Sequence, residues 1–143
     1  MRNFLVAIFV ILIPTKTFSL IEVDITRGNL NPLPVAVSPL SIDEDSRRNF
    51  ENILEKKNIG SEISIIVENN LRTSGLFNPL NKDAFLQAPD IANLKPRFED
   101  WNLIKAQALI TGKVSYIEEK LRVEFRLWDV LAGKEMMALA FTT

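Results

Sequence analysis

The chain has 143 residues, 47% of them hydrophobic, with 17 basic and 18 acidic side chains and a formal net charge of −1. That balance excludes a polyelectrolyte surface for nucleic acid, which must neutralise several phosphates, and a polybasic face for anionic lipid. Histidine and cysteine are both absent, which removes the commonest general base, the Ser-His and Cys-His nucleophile pairs, disulfides, and every usual zinc ligand except carboxylates.

The first element is an export signal. Arg2 supplies positive charge, Phe4 to Ile13 is an unbroken apolar run of ten residues, and Pro14 stops it. A membrane-spanning helix needs roughly 20 apolar residues, so this run is too short to cross a bilayer. Thr17-Phe18-Ser19 offers small residues where a signal peptidase reads them, which puts cleavage between Ser19 and Leu20 and assigns residues 1–19 to a signal peptide. Residues 20–143 then form one domain of ordinary size.

Leu20 to Arg27 alternates Ile21, Val23 and Ile25 with Glu22, Asp24 and Thr26, the period of a half-buried strand. Gly28 to Asn31 with Pro32 and Pro34 interrupts it. The prolines belong before a strand or on a sheet edge, because they cannot donate to a ladder. Val35-Ala36-Val37 reads as a short internal strand closed by Pro39, and a short amphipathic helix is expected over residues 46–56.

A longer helix is expected over residues 60–74. Ile59, Ile63, Ile66, Val67 and Leu71 form one stripe, Asn58 is placed to cap the start, and Gly75 to cap the end. The stripe is expected to face the core. Leu76 to Leu80 reads as a short strand, and residues 81–95 as loop with Phe85 and Leu86 as core anchors. A second main helix begins near Pro96 and buries Phe98, Trp101, Leu103 and Ile104. Three strands close the chain: Ala108 to Ile117, Lys120 to Val130, and Met136 to Phe141 after the turn Ala132-Gly133-Lys134. The whole predicts an α/β domain, with a mixed sheet of about five strands packed by two main helices.

No glycine-rich phosphate loop or nucleophile elbow appears. The acidic runs Asp43-Glu44-Asp45 and Glu118-Glu119 lack the oxygen spacing and turn glycine of a calcium loop and read as solvated loops. Trp128-Asp129 matches the dipeptide of propeller repeats, but no repeat accompanies it. These residues predict neither catalysis, nor a cofactor, nor a metal.

Several blocks in order resemble the N-terminal domain of TolB, the soluble periplasmic component of the Tol–Pal envelope system. They are Ile21-Glu22-Val23-Asp24-Ile25-Thr26-Arg27-Gly28, Pro34-Val35-Ala36-Val37-Ser38-Pro39-Leu40, Asn70-Leu71-Arg72-Thr73-Ser74-Gly75-Leu76-Phe77-Asn78-Pro79-Leu80, Ala106-Gln107-Ala108-Leu109-Ile110-Thr111-Gly112, and Val123-Glu124-Phe125-Arg126-Leu127-Trp128-Asp129-Val130. Ile59-Gly60, Trp101 and Gly133-Lys134 add to them. Three features depart from the family: a longer stretch between Leu40 and Ile59, Lys105 where a glycine is expected, and an end at Thr143 where family members continue into another helix and a β-propeller.

The resemblance implies a non-catalytic periplasmic interaction module without membrane insertion, serving outer-membrane integrity, cell division and bacteriocin import. It further implies that Ile21, Glu22, Val23, Asp24, Ile25, Thr26 and Arg27 contact TolA, an inner-membrane protein, and that contact with Pal is lost with the propeller. Strand addition suits an extended, alternating terminal segment. An ordinary first strand of the domain's own sheet remains the alternative for that segment. For the whole chain the alternative is a small secreted ligand-binding domain, with an acid-only hydrolase behind it.

Overall fold

Alternation of apolar and polar residues is strongest between Lys120 and Asp129, and the stretch from Ala108 to Thr142 around it forms the framework of the sheet. In the computed structural model, which describes residues 31–53 and 58–143, six strands are found: β1 (Leu33–Val37), β2 (Ser41–Ile42), β3 (Phe77–Pro79), β4 (Ala108–Ile117), β5 (Lys120–Asp129) and β6 (Lys134–Thr142). Four helices accompany them: α1 (Glu44–Ile53), α2 (Ile59–Thr73), α3 (Pro89–Leu94) and α4 (Phe98–Leu103). The expected strand over residues 20–27 and the cleavage position Ser19–Leu20 lie outside the described residues.

β4, β5 and β6 are antiparallel neighbours joined by tight turns. Along its other edge β4 takes two parallel partners in succession, β1 beside Ala108 to Ile110 and β2 beside Lys113 and Val114. Ser38-Pro39-Leu40 separates these two pieces. β3 pairs parallel with β1, so the order is β3–β1–β4–β5–β6, with β2 beside β4. Parallel neighbours demand crossovers, and the helices supply them: α1 and α2 lie between β2 and β3 in the chain, α3 and α4 between β3 and β4. Pro34 does not precede the strand but stands second in β1, opposite Asn78, and its carbonyl accepts from Gln107 N–H.

One face of the sheet is covered by α2. Asn58 caps it by accepting from Ser61 N–H at 3.2 Å, and Gly75 takes the left-handed conformation beyond its end (φ 72°). Val67 and Leu71 meet Val35, Val37 and Ala108, while Ile59 and Ile63 meet Leu40 and Val114. The helix can approach this closely because Gly60 has no side chain: a Cβ there would collide with the Leu40 carbonyl, and Gly60 O accepts from Leu40 N–H instead.

The opposite face is covered by α3 and α4. Ala36 and Leu109 pack against Ala92, Trp101 and Ala106, with the Phe85 ring edge-on to Trp101 at 5.0 Å. Fully buried Trp101 donates to Gln87 Oε1 at 2.9 Å, and the same oxygen accepts from Arg97 N–H. Where a loop is expected over residues 81–95, Pro89 starts α3, because its fixed φ suits a first helical turn. Leu86, in the segment before α3, and Leu103, at the end of the six-residue α4, are exposed rather than buried. Pro96 is buried and precedes α4, which begins at Phe98.

Candidate interaction surface

The segment that the resemblance makes the TolA contact, Ile21 to Arg27, lies outside the described residues. The described part carries its own candidate surface at the β5–β6 end of the sheet. The alternation of β5 puts Leu121, Val123, Phe125 and Leu127 on the α2 side, and Arg122, Glu124 and Arg126 on the other. Register with β6 continues the division: Val123 faces Phe141, Phe125 faces Leu139, and Leu127 faces Met137. Met136 is a bulge residue, because Trp128 pairs with Glu135 while Leu127 pairs with Met137.

The polar side is internally paired. Arg126 meets Glu135 at 3.3 Å and Arg122 meets Glu124 at 2.8 Å. The apolar side is open. Met137, Leu139 and Phe141 are 52%, 50% and 56% exposed, and Phe141 packs edge-on to Phe125 with ring centroids 6.4 Å apart. α2 packs chiefly against β3, β1 and β4. Its Ile66, expected in the core, is 60% exposed. Ile66 shares a helix flank with Ile59 and Ile63, which pack on Leu40 and Val114, the same pair against which Leu121, Val123 and Phe125 of β5 pack.

The backbone of β6 is equally open. Thr143 N–H donates to Leu121 O, making that pair hydrogen-bonded. Alternation along the ladder then turns the N–H and C=O groups of Ala138, Ala140 and Thr142 outward. At the far edge, β3 is three residues long and ends in Pro79, a short edge of the kind that resists further pairing.

The acidic runs take structural places. Asp43 begins α1, accepting from Ser46 N–H at 2.8 Å, and pairs with Lys113 at 3.4 Å. Burial alone would raise its carboxyl pKa. The hydrogen bonds from Ser46 and the Lys113 ammonium outweigh burial and hold it below its ordinary value of 3.8. An open hollow of about 360 Å³ lies here, lined by Ser41, Asp43, Arg47, Asp90 and Lys113 among others. Glu118 and Glu119 form the β4–β5 turn, both at positive φ (51° and 62°). Among the described residues no three carboxylates gather as a metal site requires, and no helix is long and apolar enough to cross a membrane.

Gln87 and the outward backbone of β6 escape sequence reasoning. Gln87 carries no periodic signal. The β6 edge could be suspected from its composition, since residues 136–143 hold neither charge nor proline.

A mixed sheet with its helices in two crossovers defines an α/β domain whose fold recurs in several solved structures. The fold superposes on TolB from Acinetobacter baumannii with a TM-score of 0.55 and 18% identity, covering 78% of this chain and 23% of that one. On the C-terminal domain of LpoB from Escherichia coli the score is 0.54 at 11% identity, covering 82% and 86%. The family model of the TolB amino-terminal domain matches residues 21–136, and the chain belongs to that family. It is also 79% identical over 136 residues to the Tol-Pal system protein TolB of Pelagibacter ubique, covering 95% of this chain and 30% of that relative's length.

Proposed function

We propose that the chain is a non-catalytic interaction module of the Tol–Pal system, working in the periplasm after removal of residues 1–19. The 79% identity to a Tol-Pal system protein, running through the alternating segment after the signal, carries this reading. Ile21 to Arg27 adds as a strand to the sheet edge of TolA. Backbone hydrogen bonds supply the affinity, and Ile21, Val23 and Ile25 fill pockets on one side. Through that contact the chain serves outer-membrane integrity during division and offers an entry route for bacteriocins. No cofactor, metal or nucleic acid takes part. The hollow beside Asp43 does not favour a ligand-binding reading, because its Asp43 and Lys113 are spent on each other.

The direct test compares the purified chain with a version lacking residues 20–27 for capture by the periplasmic part of TolA. The expected result is loss of capture with an unchanged thermal transition. Full capture after the deletion overturns the strand-addition mechanism.

A further inference from the structure

We propose that the margin of the sheet where β1 begins is a second docking surface for the partner that Ile21 to Arg27 captures, and that it takes an apolar, acidic patch of that partner. The proposal rests on the strand-addition reading above and adds to it a site among the described residues.

Three parallel strands start at this margin, β1 at Leu33, β3 at Phe77 and β4 at Ala108, and β5 ends there at Asp129. Backbone bonds tie it together laterally. Leu33 N–H donates to Leu76 O at 2.9 Å, Gln107 N–H to Pro34 O at 3.0 Å, and Val130 N–H to Gln107 O at 3.0 Å. Strands about 4.8 Å apart make the margin roughly 14 Å wide from β3 to β5. Thr143 stands at the opposite margin, because β6 leaves this one at Lys134 and pairs Thr142 with Arg122.

The side chains along this margin are apolar and cationic. Leu76, Leu103 and Leu131 are 43%, 71% and 70% exposed. Leu103 and Leu131 adjoin Ile104 and Val130, which share one core cluster, so the core anchors the backbone beside each of them while their own side chains meet water. Lys105 and Lys134 are exposed beside them, and neither has an ion pair among the described residues. Lys105 also stands at φ 64°, which costs a lysine strain that a glycine would escape. Strain of this kind persists where the residue is put to use, and here the ammonium has no use within the described chain. Two free cations around leucines are complementary to carboxylates around an apolar centre.

Chain connectivity says which partner comes here. Residues 28–32 alone join Arg27 to Leu33, a span of at most about 22 Å. A partner strand paired with Ile21 to Arg27 is therefore held within that distance of the start of β1. Three leucines and two lysines fall short of the roughly 800 Å² that each side of a free-standing interface buries. They do not have to stand alone, because a short link presents the second site at a millimolar effective concentration.

Calorimetric titration of the periplasmic part of TolA compares the chain from residue 20 onward with a synthetic peptide of residues 20–32. The chain is expected to bind about 10-fold more tightly than the peptide, with the gap narrowing in high salt. Leu131→Asp is expected to lose most of that gap, and Leu103→Asp replaces it if the first variant does not fold. Lys105→Gly is expected to bind about 3-fold more weakly, the worth of one exposed ion pair. Its thermal midpoint is expected not to fall, which separates lost contact from lost structure. Equal affinity of chain and peptide, or a folded Leu131→Asp or Leu103→Asp chain that binds as the wild type does, overturns the proposal and leaves the strand-addition reading standing. Absence of binding by chain and peptide alike, or full capture of the chain lacking residues 20–27, overturns that reading and this proposal with it.

Discussion

The two ends of this sheet are built on the same strands yet finished differently. At the β3–β1–β4 end, each face carries a helix: α2 packs on Val35 and Val37, α3 and α4 on Ala36 and Leu109. At the β5–β6 end the strands are longer and better paired, but their apolar side meets solvent at Met137, Leu139 and Phe141. Hydrogen bonding is therefore not what separates a buried region from an exposed one in this sheet. Helix cover is, because a strand's ladder satisfies its backbone while its side chains still require a second layer. Natural domains rarely leave an apolar strip open without a use for it.

The sharpest way to break this comparison is a pair of truncations. Trp101→Ala empties a fully buried site that also holds the indole bond to Gln87, and is expected to cost about 3–5 kcal/mol. Leu139→Ala is expected to cost under about 1 kcal/mol, since half of that side chain is in water already. Urea unfolding of both variants decides the matter. Similar losses at the two sites would mean that the strip is covered and the contrast between the ends is false.

Much of the fold was legible from pattern, and the exceptions have physical causes. β4 falls on the expected residues, β5 ends one residue early, and α2 is displaced by one residue, because long periodic runs leave little freedom. Asn58 and Gly75 sit at the helix ends where their chemistry suits them. Ile66 failed the expectation because a helical stripe tells which side is apolar, not how wide a sheet lies beneath it. Leu103 failed for a related reason, since a helix as short as α4 cannot bury every apolar residue it carries, and Leu86 failed because it lies in the irregular segment before α3. The Gln87 knot was invisible because it joins residues 87, 95, 97 and 101 through side-chain and carbonyl groups that no periodicity marks. The open strip on β5 and β6 could not be read from the alternation of either strand alone, since both look half-buried.

A smaller effect sharpens the boundary between the ends. Lys105 closes α4 at φ 64°, the left-handed conformation that glycine adopts most readily. Its Cβ is strained by about 1 kcal/mol, and no hydrogen bond of its side chain to the described residues offsets this. Lys105→Gly is expected to stabilise the chain by about 0.5–1 kcal/mol, with the glycine's added freedom when unfolded taking back part of the gain. Thermal unfolding checks this. A lowered midpoint would show that the lysine is favoured in place, and that contacts of its side chain outweigh the backbone strain at the turn into β4.

The smallest effect concerns the junction of α1 with β4, where the two covered layers meet. Asp43 accepts from Ser46 N–H and faces Lys113, and its carboxyl is held below its ordinary value of 3.8. A carboxyl depressed in the folded chain contributes stability that is fully present above its unfolded pKa and is lost as pH falls through the folded pKa. The loss therefore begins below about pH 5 and continues beneath the ordinary carboxylate range. Asp43→Asn retains a side-chain oxygen able to cap α1, but it cannot titrate or pair with an ammonium. Between pH 7 and pH 3 the wild-type chain is expected to lose slightly more stability than this variant, as measured by urea unfolding at each pH. The difference should shrink in high salt, because both side chains of the Asp43–Lys113 pair are partly exposed to solvent. Equal losses in the two chains would remove Asp43 from the acid response and leave the Ser46 bond as a cap without electrostatic consequence.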